Sequence, residues 1–184
     1  MNHNLQNLNS GNSDPLVNRV AESGLITINF EDWATELPVA VFDLKDYLVQ
    51  EMVLMEKPFR QALSEQNFTE FADRHVCVFI SNDAIIPMWA FMLVASKLSG
   101  VAKSVFFGSP VEFTERQILQ HIQILDPQQY ANQRVVIKGC GDLKIGPAAY
   151  IAITEKLTPH VQSLMFGEPC STVPVFKRKK TSSP

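Results

Sequence analysis

The apolar positions of this chain repeat with two periods. In Leu25-Ile26-Thr27-Ile28-Asn29-Phe30 they alternate with polar ones, the mark of a short half-buried strand. Leu44, Tyr47, Leu48, Met52, Met55, Phe59 and Leu63 then recur at roughly helical spacing, behind Asp43 as N-cap and Asp46 in the first turn. This predicts a long helix, broken or kinked at Pro58. Its methionines and aromatics read as core rather than as a cofactor box. From Arg74 the pattern changes. His75 to Ile80 is a strand, and Pro87 to Leu98 a strongly apolar helix closed by Gly100. Ser104 to Phe107 is a strand, followed by an amphipathic helix over Glu112 to Leu125 that opens near Thr114. Arg134 to Ile137 is a strand, Pro147 to Leu157 a helix with Pro in its first turn, and Leu164 to Phe166 a last short strand.

The order β-α-β-α-β-α-β from about residue 74 predicts an α/β fold, a three-layer sandwich with a mainly parallel sheet and right-handed crossovers. A short strand and the long helix precede it. The near-continuous apolarity of the strands agrees with burial on both faces. Residues 1–15 are polar and aperiodic and read as a disordered tail. Residues 16–176 are expected to form a single α/β domain, and 177–184 a basic flexible tail.

Charge and cysteine usage narrow the function classes. A net charge of −3 argues against a broad nucleic-acid surface. The longest apolar stretch, Ala84 to Val94, contains a proline and is too short to span a bilayer. The N-terminus lacks the charged and apolar regions of a signal peptide, so a cytoplasmic location is expected. Three cysteines, an odd number, fit a reducing compartment rather than a disulfide framework. Cys77, inside His75-Val76-Cys77-Val78-Phe79-Ile80, reads as a small buried hydrophobe.

In a single parallel sheet, ligand sites lie at the carboxy ends of the strands. Four loops leave those ends. They carry Asn82 and Asp83; Gly108 and Ser109; Cys140, Gly141 and Asp142; and Glu168, Cys170, Ser171 and Thr172. Cys140 stands between glycines, ahead of the helix at Pro147. Loop amides there would favour a thiolate, although a thiol that fills a tight turn fits the same pattern. Cys170 follows Pro169, which restricts Glu168 and aims the loop. Two thiols at one sheet edge suit a soft metal, iron or zinc, or the acceptance of sulfur as a persulfide. Asp83, Asp142 and Glu168 are candidate ligands or pKa-tuning groups. The plainer readings are a helix cap for Asp83 and solvated loop carboxylates for the other two. None of the four histidines has metal-finger spacing to a cysteine. No Walker loop, Rossmann fingerprint or Gly-x-Ser-x-Gly elbow is present. The Lys177-Arg178-Lys179-Lys180 run reads as a solvated tail.

Three segments carry a family resemblance: Asp83-Ala84-Ile85-Ile86-Pro87-Met88-Trp89-Ala90-Phe91-Met92-Leu93, Val136-Ile137-Lys138-Gly139-Cys140, and Ser163 to Lys177 with its Gly-Glu-Pro-Cys-Ser-Thr-Val-Pro core. With Ile28-Asn29-Phe30-Glu31-Asp32 and Phe42-Asp43-Leu44-Lys45-Asp46, they resemble an uncharacterised bacterial domain-of-unknown-function family over nearly the whole chain. The resemblance implies no assigned activity and an association with iron–sulfur cluster assembly genes. The leading expectation is therefore an accessory factor in iron–sulfur assembly or metal and sulfur handling. Cys140 and Cys170 would be its working thiols and iron–sulfur assembly proteins its partners. The alternatives are a cysteine-dependent enzyme on a small substrate, and a non-catalytic interaction protein whose apolar helix around Trp89 serves packing or a homo-oligomer. No nucleic-acid or membrane partner is expected.

Overall fold

The computed structural model describes residues 24–34, 39–139, 141–168 and 170–179. The expected tail over residues 1–15 and the end of the basic tail lie outside them. The fold is mixed α/β with parallel strands. In chain order the elements are β1 (Leu25–Ile28), β2 (Val39–Asp43), α1 (Glu56–Glu65), β3 (His75–Phe79) and α2 (Met88–Leu98). They continue with β4 (Ser104–Phe107), α3 (Pro110–Ile124), β5 (Arg134–Ile137), α4 (Pro147–Leu157), β6 (Ser163–Glu168) and β7 (Ser171–Lys177).

The strands expected in one sheet divide between two. A four-stranded sheet runs β1-β5-β6-β7 and a three-stranded sheet runs β2-β3-β4. All pairs are parallel except β6 with β7. The reason lies in β4. Val105 and Phe107 alternate with half-buried neighbours and are 36 % and 69 % exposed, so β4 is a sheet edge. In the centres of the two sheets, by contrast, Val76 and Cys77 of β3 and Val135 and Val136 of β5 are fully buried. Apolar runs report burial; they do not report which strand is the neighbour.

Each sheet has its own core. Phe42, Leu44, Phe59, Leu63, Val94 and Leu98 belong to the core of the three-stranded sheet. Phe30, Ile118, Ile137, Ile153, Leu157 and Leu164 belong to that of the four-stranded sheet. Helix α3 touches both. Phe113 near its start packs on His75 and Phe106, with ring centroids 5.0 and 5.5 Å away. Ile118 and Ile122 further along lie in the other core. This helix starts earlier than its periodicity suggests. Ser109 and Glu112 form a capping box and Pro110 occupies the first turn, which fixes the start at Pro110.

The long helix expected after Asp43 is three shorter pieces. Asp43 does cap a helical turn, but a single 3-10 turn over Leu44–Tyr47. The chain then reverses in a bridge between Val49 and Val53, with Gln50 and Glu51 at φ 51° and 58°. Two successive left-handed residues cannot continue a right-handed helix. Helix α1 begins only at Glu56, so Pro58 falls in its first turn, where a missing N–H costs nothing. Strand β7 is also absent from the periodicity. It carries Pro174, tolerated because β7 is an edge strand and because the β6 pairing shifts register between Leu164 and Met165. No helix among the described residues is long and apolar enough to cross a membrane.

Candidate functional site

The division into two sheets also divides the candidate residues. Asp83 leaves the carboxy end of β3, in the three-stranded sheet. The 139–143 and 168–172 segments leave the ends of β5 and β6, in the four-stranded sheet. Strands β5 and β6 are direct parallel neighbours, with Ile137 opposite Phe166. The two cysteine-bearing loops therefore emerge side by side. Cys140 itself lies outside the described residues.

The Cys170 loop is a hairpin rather than a strand-to-helix turn. Glu168 pairs with Ser171 and Gly167 with Thr172, so Cys170 stands at the turn between the two strands. Gly167 sits at φ 120°, and a Cβ there would stand 2.6 Å from the Ser171 carbonyl oxygen, so the turn requires glycine. At this turn Cys170 is an exposed free thiol. Glu168 is half-buried, and one of its carboxylate oxygens is buried with no hydrogen-bond partner among the described residues. Such an atom is costly to bury unless it meets a hydrogen-bond donor or a cation.

The 139–143 loop is held by a residue that the apolar pattern does not single out. Glu31, just beyond β1, accepts hydrogen bonds from the Asp142 N–H at 2.5 Å and the Leu143 N–H at 3.1 Å. A Cβ on Gly141 would run into the Glu31 carboxylate, so glycine permits this approach. Its carboxyl is held below the ordinary value, first by the Leu143 N–H and, against some desolvation, by the Asp142 N–H, the charge of Lys138 and Asn29. Asp142 contributes its amide here, while its side chain is exposed. Two of the loop amides expected to favour a thiolate are thus engaged by a carboxylate. The only sign of Glu31 in the sequence is a carboxylate just past a strand end, and its partners lie 111 and 112 positions away.

Asp83 is exposed and does not cap the helix that follows, since the cap position of α2 is Pro87. Asn82 takes up the local turn instead. Its side-chain oxygen accepts from the Ala84 N–H at 3.1 Å and its NH2 donates to the Glu51 carbonyl at 2.9 Å. Cys77 is fully buried in β3, and burial, with the nearby charge of Glu112, pushes its thiol pKa up. It is inert by position. Of the histidines, His75 bonds Ser104 through Nδ1 at 2.6 Å, and His121 stacks on Trp33 with centroids 4.6 Å apart. Among the described residues, no group of three His, Cys, Asp or Glu is arranged to hold a metal ion.

Comparison with known proteins adds a family and no activity. No curated protein and no solved structure matches the chain. One family model matches residues 14–178, nearly the whole sequence. The chain thus belongs to the family described as a protein of unknown function, DUF2480.

Proposed function

We propose that the carboxy edge of the four-stranded sheet handles a thiophilic metal ion, iron or zinc, through Cys140 and Cys170, as an accessory step in iron–sulfur cluster assembly. One observation carries the reading: β5 and β6 are adjacent parallel strands, and each gives rise to a cysteine-bearing loop at the same edge. Thiolates are the soft ligands that select such ions. The carboxylate oxygen of Glu168 that has no partner among the described residues supplies a reason for a cation to sit there. An exposed Cys170 suits a transient cargo better than a permanent structural site, which is closed and four-coordinate. Because both thiols must lose protons to bind, uptake is expected to release protons and to weaken as pH falls.

The test is a titration of the fully reduced protein with zinc and with ferrous iron, beside the Cys140→Ser/Cys170→Ser double variant. The native protein is expected to bind at least about tenfold more tightly than the variant, a difference of about 1.4 kcal/mol. Equal binding by the two proteins overturns the metal reading. A Cys77→Ser control is expected to leave uptake unchanged, since that thiol is buried within β3.

A further inference from the structure

The carboxy edge of the three-stranded sheet is open as well, and its chemistry is different. Helix α2 carries no charged residue from Met88 to Ser96. Ala90, Val94 and Leu98 are fully buried, and Trp89, Phe91 and Leu93 pack partly against the same core. Met88 and Met92, four residues apart, are each 71 % exposed, and Ile85 just ahead of the helix is 90 % exposed. Met52 and Val53, 64 % and 57 % exposed, stand on the turn that faces this segment. They line the same groove as Ile85, of about 540 Å³. The Asn82 bond to the Glu51 carbonyl ties the two walls together, so the groove is built rather than incidental. A helix apolar all round is normally buried, and methionine is the residue most used where a surface must adapt to a partner.

We infer that this groove is a docking surface for a basic amphipathic helix of a partner protein. Charge chooses the occupant. The charged residues lining the groove are Glu51 and Asp83, both exposed carboxylates, with no cation among the lining residues. A segment with an apolar face and a lysine- or arginine-rich flank complements that pattern. A second copy of this chain brings the same two carboxylates across a two-fold axis, and a net charge of −3 with it. An anionic lipid surface meets the same repulsion. The Met52 side chain would fill gaps between the helix's apolar anchors, and the carboxylates would set its direction.

The test uses a fluorescein-labelled amphipathic peptide of leucine and lysine, about 18 residues long, and its leucine–glutamate counterpart. Both are titrated with the full-length protein by fluorescence anisotropy. The lysine peptide is expected to bind and the glutamate peptide not. Met52→Gln/Ile85→Gln, at two apolar residues that line the groove, is expected to weaken binding at least about tenfold. Glu51→Gln/Asp83→Asn is expected to weaken it less and to flatten its salt dependence. All four positions are exposed, and circular dichroism of each variant checks that the fold is kept. Equal binding of the two peptides, no binding of either, or binding insensitive to the Met52/Ile85 pair overturns the inference. So does a concentration-dependent dimer that the Met52/Ile85 variant abolishes, which assigns the face to a second copy.

Discussion

The two sheets fasten their strand-end loops with the same device. In each, a carboxylate that closes or follows an edge strand reaches across to the loop of the neighbouring strand. Glu31, after β1, accepts from the amides of Asp142 and Leu143 beyond β5. Asp43, at the end of β2, accepts from the Ser81 amide beyond β3 at 3.1 Å and from the Lys45 amide at 3.0 Å. What the clamps present then differs. The first holds a polar loop that carries Cys140 and Asp142; the second holds a segment that leads into the apolar lip at Ile85 and Met88. A carboxylate at a strand end is therefore not evidence of catalysis in this fold. In both sheets it positions backbone, and the chemistry belongs to what the clamped loop carries.

The comparison is broken most severely through the cores beneath the clamps. Phe42 is 3 % exposed and packs against Tyr47, Phe68 and Phe71, with centroids 5.3, 6.4 and 6.0 Å away. Phe42→Ala is expected to cost about 3–5 kcal/mol. Helix α3 contributes Phe113 against His75 and Phe106, and Ile118 and Ile122 to the other core. The loss is therefore expected to shift unfolding of both sheets together. Trp89, against Phe59, reports the three-stranded side, and Trp33, stacked on His121, the other. Denaturant unfolding followed by fluorescence in Trp33→Phe and Trp89→Phe backgrounds separates them. A Trp33 signal that stays put when Phe42 is truncated means that the sheets unfold as separate units.

Next in size is the Asp43 clamp, which is also an N-cap. Asp43→Ala removes acceptors for the Lys45 and Ser81 amides at once, and a lost cap of this kind costs about 0.5–2 kcal/mol. Burial pushes the Asp43 carboxyl up, yet the bonds from Ser81 and Lys45 outweigh it and hold the pKa below the ordinary value. Urea denaturation at neutral pH measures the loss. An unchanged midpoint shows the clamp to be ornamental and removes the parallel between the two sheets.

How much of this was legible beforehand depends on the range of the signal. Strands β3, β4 and β5 and helices α2 and α4 follow from local apolar runs bounded by Gly and Pro, and the α/β class follows from their order. Strand β2 was not legible, because Val39-Ala40-Val41-Phe42-Asp43 runs without a break into residues that also satisfy a helical period. Strand β7 was hidden by Pro174, which is harmless only on an edge. The split into two sheets depends on which strands pair, and β4 and β5 have the same local character whether or not they are neighbours. The adjacency of the Cys140 and Cys170 loops was legible as an expectation, since β5, α4 and β6 form one crossover unit. Glu31 and the Asp43–Ser81 bond were not, since their partners lie 111 and 38 positions away.

The smallest expected effect sharpens the comparison most, because it tests the clamp on the loop that carries Cys140. Glu31 is half-buried, outside both cores, and its carboxylate bonds the amides of one loop, so Glu31→Gln is expected to leave the fold intact and to loosen that loop. The measurement is amide exchange at Asp142 and Leu143, expected to quicken several-fold while the β5 amides stay protected. The pH dependence has a definite sign. The folded pKa of Glu31 lies below its ordinary value of 4.5, so its contribution is fully present above the unfolded value and is lost as pH falls through the folded one. Protection of the two amides in the native protein is therefore expected to decline on acidification below about pH 4.5, and the Gln variant to lack that decline. An identical acid profile in the two proteins means that something other than Glu31 holds the loop. Zinc uptake by Glu31→Gln then separates two roles. Unchanged uptake makes the clamp a fastening for the loop alone, as Asp43 is in the other sheet. Weakened uptake ties the position of Cys140 to the carboxylate that holds the residues after it.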